Sequence, residues 1–146
     1  KDEEDNGKVY EIVKTKHIYK PFEELLRTGT LKNKLNRRQM KRLSAAVPLT
    51  LALLASDGES IELTQEGLLE KALVICDQLE VPREIISNDY VTQFVRQRGV
   101  EFSPVSAILG GAVAQDVINI LGKRQQPLKN TTILDGVTLD MPMFEL

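Results

Sequence analysis

Residues 103–122, SPVSAILGGAVAQDVINILG, constrain this chain more than any other segment. Ser103-Pro104 reads as an N-cap followed by proline at the first helical position, and Gly122 is a fitting stop. Between them the residues are apolar around most of a helix circumference, so the helix is expected to be buried on more than one side. Ala107, Gly110, Gly111 and Ala114 make one region of it small, flanked by Pro104 and Gln115. Two adjacent glycines inside a helix cost about 1 kcal/mol each relative to alanine. Something must offset that cost, and the simplest candidate is close approach of another backbone, which makes these six residues a close-packing surface. The pair is not a phosphate loop. Such loops set glycines at a strand-to-helix turn with free N–H groups, whereas here they lie about two turns inside a helix. The apolar core of the segment, Val105 to Leu121, is interrupted by Gln115, Asp116 and Asn119. It also falls short of the roughly 20 residues that cross a bilayer, so no membrane span is expected.

The rest of the chain reads as helices with a few strands. The opening run Lys1-Asp2-Glu3-Glu4-Asp5-Asn6-Gly7 reads as a solvated acidic turn, and with no initiating Met the chain is expected to be a piece of a longer protein. Val9 to Tyr19, rich in β-branched and aromatic residues, is expected to be extended and to have lost a pairing strand. Pro21 suits the first turn of a short helix ending at Thr28-Gly29. Asn33 to Ser56 carries Met40, Leu43, Val47, Leu51 and Leu54 at helical spacing, with Pro48 expected to kink or divide it, and Asp57-Gly58 to end it. Thr64 caps a helix whose apolar face is Leu68, Ala72, Ile75, Cys76 and Leu79. Ser87 or Asn88 caps another, with Tyr90, Val91, Phe94 and Val95, stopping at Gly99. Near the end, Thr131 to Leu134 reads as a buried strand, Asp135-Gly136 as a turn, and Val137 to Phe144 as the returning strand.

Few residues offer chemistry. Cys76 sits among Leu73, Val74, Ile75 and Leu79 with no basic neighbour to lower its pKa, so it reads as a small packing residue rather than a nucleophile. His17 is the only histidine; one His and one Cys far apart make no zinc site. The lone cysteine also excludes an internal disulfide and fits a reducing compartment. Asp135 and Asp140 flank a hairpin, and turn chemistry accounts for the first. Lys32, Lys34, Arg37, Arg38, Lys41 and Arg42 form a basic run without an acidic residue between them. It reads either as a solvated helix face or as a patch for an acidic partner or nucleic acid. The net charge of −2 on 146 residues argues against general nucleic-acid binding. No catalytic, cofactor-binding or metal-ligating set emerges, and none is expected to be held by this chain.

The segment GVEFSPVSAILGGAVAQDVINILGKRQQPLKNTTILDGVTLDMP resembles the C-terminal portion of the ubiquitin-like-protein activating enzymes. The likeness is carried by Pro104, Gly110, Gly111, Ala114, Gln115, Asp116, Pro127, Leu128, Asn130 and Asp135. Upstream, HIYKPFEELL and the stretch from Leu35 to Arg98 are similar in layout to that family's helical region. DYVTQFVRQRGVEF in particular looks like the small, non-cysteine subunit of a SUMO-activating enzyme of budding-yeast type.

The resemblance implies an α/β fold, the C-terminal half of an adenylation-type (ThiF/MoeB-like, Rossmann-related) domain that is mainly helical in this stretch. Residues 1–146 would be one part-domain, with a helical region at 21–100 and a buried helix plus C-terminal strands at 101–146. The helix at Ser103 to Leu121 would pack on a sheet, near the contact between two subunits. The implied partner is the large catalytic subunit, which would bind ATP and Mg and hold the catalytic cysteine; SUMO would be met indirectly. The implied location is the nucleus, with the cytoplasm second, and neither nucleic acid nor membrane is implied. The subunit of an activating enzyme for ubiquitin or another modifier, and a free-standing helical protein-binding module, are the alternatives.

Overall fold

A computed structural model describes residues 13–56, 64–123 and 125–146. The acidic opening run, residues 9–12 of the expected first strand, and Asp57-Gly58 lie outside these. In chain order the helices are α1 (Phe22–Thr28), α2 (Arg37–Lys41), α3 (Ala46–Ala55), α4 (Gln65–Leu79), a 3-10 turn at Arg83–Ile85, α5 (Asn88–Gln97) and α6 (Ser103–Gly122). Two short strands come after them, β1 (Thr131–Thr132) and β2 (Met143–Phe144).

The caps explain most helix starts. Thr64 Oγ1 accepts from the Gly67 N–H at 3.1 Å, and Ser87 Oγ accepts from the Tyr90 N–H at 3.2 Å, each satisfying a donor that the first turn leaves unpaired. In α2 the Asn36 and Gln39 side chains bond each other's backbone N–H, a reciprocal box that holds a helix of only five residues. Gln78 Nε2 donates to the carbonyls of Leu26 and Gly29, both at 3.1 Å, and so closes the end of α1 against α4.

α3 and α4 form the centre, and α5 packs on α4. Leu68, Ala72, Ile75, Cys76 and Leu79 are all buried, the face that helical spacing assigns to α4. They meet Val47, Leu49, Leu51 and Ala52 of α3, with Leu31, Leu43, Val91, Phe144 and Leu146 closing the cluster. Burying a large aliphatic side chain contributes about 1.5–3 kcal/mol, so this helical cluster is the main source of stability.

Three boundaries differ from the sequence expectation. The Asn33–Ser56 run divides at Arg42–Ala45, not at Pro48. Pro48 is the third residue of α3, where a missing N–H costs nothing because first-turn N–H groups have no partner within the helix. The cap of α6 is Phe102, with no side-chain cap bond, and Ser103 and Pro104 are already helical. The helix ends on Lys123 in the left-handed region (φ 52°), one residue beyond Gly122. In addition, residues 13–20 are exposed and unpaired with any described strand, so the described part of Val9 to Tyr19 forms no sheet.

The C-terminal segment is a hairpin in continuous antiparallel register. Thr131 pairs with Phe144 and Thr132 with Met143; the Ile133 N–H then reaches the Pro142 carbonyl, and Asp135 bridges Asp140. The turn spans residues 136–139. The returning strand is therefore shorter than Val137 to Phe144, and Thr131 to Leu134 is half-buried rather than buried.

Candidate subunit-contact face

α6 has two sides, and the described residues cover only one. Val105, Leu109, Ala112, Asp116 and Asn119 are the half-buried residues among its twenty, spaced four, three, four and three apart. That spacing is a single stripe along a helix. At about 100° per residue, Ala107, Gly110, Gly111 and Ala114 fall on the opposite side, and all four are exposed, as are Pro104 and Gln115. A Cβ added at Gly110 or Gly111 would meet nothing within 4 Å. Around them Val113 (61% exposed), Ile118 (62%) and Leu121 (76%) leave a long apolar surface open.

The expected burial of this helix is thus not supplied by the described residues. The helix forms where the sequence places it, but this chain holds only the 105/109/112/116/119 stripe. At 20 residues with a mean hydropathy of 1.5, α6 is also long and apolar enough to cross a membrane, so the expectation that it falls short in length fails. Length and composition are weak evidence for a span, because a helix buried in the core of a soluble protein passes the same test.

The polar residues of the segment tie α6 to the loop and hairpin on its C-terminal side. Asp116 Oδ1 accepts from the Leu128 N–H at 2.6 Å. Asn130 accepts from the Leu146 N–H at 2.9 Å and donates to the Leu146 carbonyl at 3.0 Å, which fastens the chain end. At the hairpin turn, a Cβ on Gly136 would come within 3.1 Å of Val105 Cγ2, so the turn lies against the first turn of α6. Gln115 Nε2 donates to Asn119 Oδ1 at 3.0 Å along the helix surface.

Asp135 links the hairpin to the helical region. Its Oδ2 accepts from Ser44 Oγ at 2.8 Å and from the Tyr90 hydroxyl at 2.9 Å. Its Oδ1 accepts from the N–H groups of Val137 (2.9 Å) and Thr138 (3.3 Å). Burial by itself raises this carboxyl's pKa, but the bonds from Val137, Ser44, Tyr90 and Thr138 outweigh it and hold the group below its ordinary value. Desolvation pushes the Tyr90 hydroxyl up, with the neighbouring Asp135 adding to the rise. Turn chemistry therefore explains only half of Asp135. Nothing in the sequence pairs Ser44 or Tyr90 with it, since 91 and 45 residues separate them. Beside this network a cavity of about 650 Å³ opens between α3, α5, the start of α6 and the hairpin, with walls including Phe94, Phe102, Val105, Ile133 and Val137.

The other candidates stay apart. Cys76 is fully buried, and its thiol is pushed up to about 11 by desolvation, which keeps it protonated and inert. His17 stacks on Tyr19 at 6.4 Å on an exposed stretch. Among the described residues no three His, Cys, Asp or Glu side chains gather as a metal site. Gly110 and Gly111 lie mid-helix with their N–H groups committed to the helix, so they form no cradle for a nucleotide phosphate. The six basic residues from Lys32 to Arg42 are all exposed.

The chain is 52% identical over 149 aligned residues to the DNA damage tolerance protein RHC31 of Saccharomyces cerevisiae, covering 99% of this chain and 42% of that protein. It is 27% identical over 134 residues to SUMO-activating enzyme subunit 1 of Homo sapiens, covering 86% of this chain and 37% of that subunit. A shorter match, 38% identical over 61 residues and 42% of this chain, is to the Nedd8-activating enzyme E1 regulatory subunit of Drosophila melanogaster. No family model matches, and no solved structure matches. The chain spans less than half the length of each of these relatives. The similarities to subunits of activating enzymes support an E1-like family for this chain.

Proposed function

We propose that this chain is the C-terminal part of the non-catalytic subunit of a SUMO-activating enzyme, within an adenylation-type α/β domain. In this reading it is a scaffold: it supports ATP-dependent adenylation of SUMO and thioester formation, both carried out by the large subunit. ATP and Mg belong to that partner, SUMO is met through it, and the complex works in the nucleus.

The observation that carries the proposal is the open side of α6. A 20-residue helix with an apolar, small-residue face turned away from its own chain is costly in water. Its glycines lower helix propensity without any contact here that uses the space they leave. Docking against the rest of the domain and the partner subunit accounts for both features. The similarity to SUMO-activating enzyme subunit 1 over 86% of the chain supports the choice of modifier.

The test is SUMO-dependent ATP–pyrophosphate exchange by the large subunit, with the remainder of the small subunit supplied and this chain present or absent. Exchange that requires the chain supports the scaffold role. Exchange that proceeds equally without it, in a complex that still assembles, removes that role. A second reading, a subunit for another modifier, is favoured by the similarity to the Nedd8-activating regulatory subunit. Exchange driven by that modifier and not by SUMO would select it.

A further inference from the structure

We infer that the surface carrying Lys34, Arg37, Arg38, Lys41 and Arg42 is a docking site for an acidic segment of another protein. This inference is independent of the role proposed for α6. The chain carries 19 basic and 21 acidic residues; setting aside these five and Lys32 leaves thirteen against twenty-one, a charge of −8. A strip of five basic residues beside the Lys32–Glu80 pair, on an otherwise acidic molecule, is a local field of opposite sign, the arrangement that steers and orients a complementary partner.

Stability does not explain the strip. Three helices follow the helix charge rule, with Glu23 and Glu24 in the first turn of α1, Glu66 in that of α4 and Asp89 in that of α5, while the apolar α3 and α6 carry no charge there. Basic residues near α1 pair with acids one turn away, Lys20 with Glu24 and Arg27 with Glu23. In α2 the first-turn rule and the pairing rule are both broken, although Arg38 and Lys41 stand favourably in its last turn. Its first turn holds Arg37 and Arg38 and no acid. Arg37 and Lys41, like Arg38 and Arg42, stand four apart, the spacing at which like charges repel across one helix turn. Lys32 pairs with Glu80 at 3.0 Å, but no ion pair to the other five is found among the described residues. A locally unfavourable arrangement that the fold tolerates is a mark of function.

The strip is also held in place. Leu31 and Leu43 are buried at its two ends, and Leu35 and Met40 pack against the core between them. Beside it lies a cavity of about 230 Å³ floored by Leu31, Leu35 and Phe144, with Lys34 and Lys129 on its wall and Glu145 as the acid among its lining residues. That volume is below the range of small-molecule sites and suits a single side chain. A carboxylate entering it would meet two ammonium groups and one carboxylate, while flanking acids meet Arg37, Arg38, Lys41 and Arg42. A long polyanion such as duplex DNA fits less well, because its charge would run on from this short strip over a surface of net charge −8.

The test uses the full chain and a fluorescein-labelled peptide of about ten residues rich in Glu and Asp, read by anisotropy at about 0.15 M salt. Neutralising Arg37, Arg38, Lys41 and Arg42 together to Gln should weaken binding about tenfold or more. The Glu145→Gln variant should tighten it a few-fold, and helix content by circular dichroism should not change in either. Equal binding by wild type and the fourfold variant, or no binding at all, overturns the inference. Tighter binding of a short DNA duplex than of the peptide also overturns it and assigns the strip to phosphates.

Discussion

Replacing Asp135 by Ala tests whether one carboxylate fastens the C-terminal hairpin to the helices. The change removes two bonds from hydroxyls, Ser44 at 2.8 Å and Tyr90 at 2.9 Å, and two from backbone N–H groups at the turn. A hydrogen bond to a charged group contributes about 1.5–3 kcal/mol net. The two backbone donors belong to Val137 and Thr138, both exposed, where water replaces the lost acceptor. The two hydroxyls are part-buried and keep each other at 3.4 Å, and Ser44 Oγ still accepts from the Ala46 N–H at 3.1 Å. Counting the two hydroxyl bonds and discounting the turn gives a loss of about 3–6 kcal/mol, a large share of the stability of a domain this size. Urea unfolding monitored by far-UV circular dichroism measures it, and a double-mutant cycle with Tyr90→Phe isolates the cross-chain part. A loss under about 0.5 kcal/mol, or full additivity with Tyr90→Phe, refutes the reasoning. The acid side gives a second reading. Because the folded carboxyl lies below its ordinary value, its contribution is complete above the unfolded pKa of about 3.9 and disappears as pH falls through the lowered folded value. The stability gap between wild type and Asp135→Ala should therefore be constant near neutrality and close in acid below about pH 4.

Other substitutions have equally definite outcomes. Gly110→Ala should leave this chain as stable or stabilise it by up to about 1 kcal/mol, since nothing lies near its Cβ position. Gly110→Leu or Gly111→Leu should likewise spare the chain yet block co-purification with the large subunit that the proposed function assigns to it; normal assembly by these variants would remove the docking role of that face. Leu68→Ala, at a fully buried site facing α3, should cost about 2–5 kcal/mol in urea unfolding. Cys76 should resist thiol reagents at pH 8 until the chain unfolds, because its thiol titrates only at about 11; rapid labelling of the native protein would contradict its burial.

Local sequence rules determined much of this protein. The buried face of α4, the caps at Thr64 and Ser87, the packing role of Cys76, the turn at Asp135-Gly136 and the 20-residue span of α6 all arise from spacing and short-range chemistry. These features depend on residues within a turn or two of each other, where 3.6-residue periodicity and cap hydrogen bonds act. Where the chain divides before Pro48 was less legible, because proline is penalised in a helix interior but tolerated in a first turn, and only packing decides which it occupies. Which side of α6 is covered was not legible either. The helix is apolar all round, so its pattern names no inward face; the tertiary structure chooses the 105/109/112/116/119 stripe through the Asp116–Leu128 bond and the Val105–Gly136 contact. Likewise, Asp135 reaches Ser44 and Tyr90 across 91 and 45 residues. Such bonds depend on how the chain is brought together in space, and no spacing in the sequence encodes that.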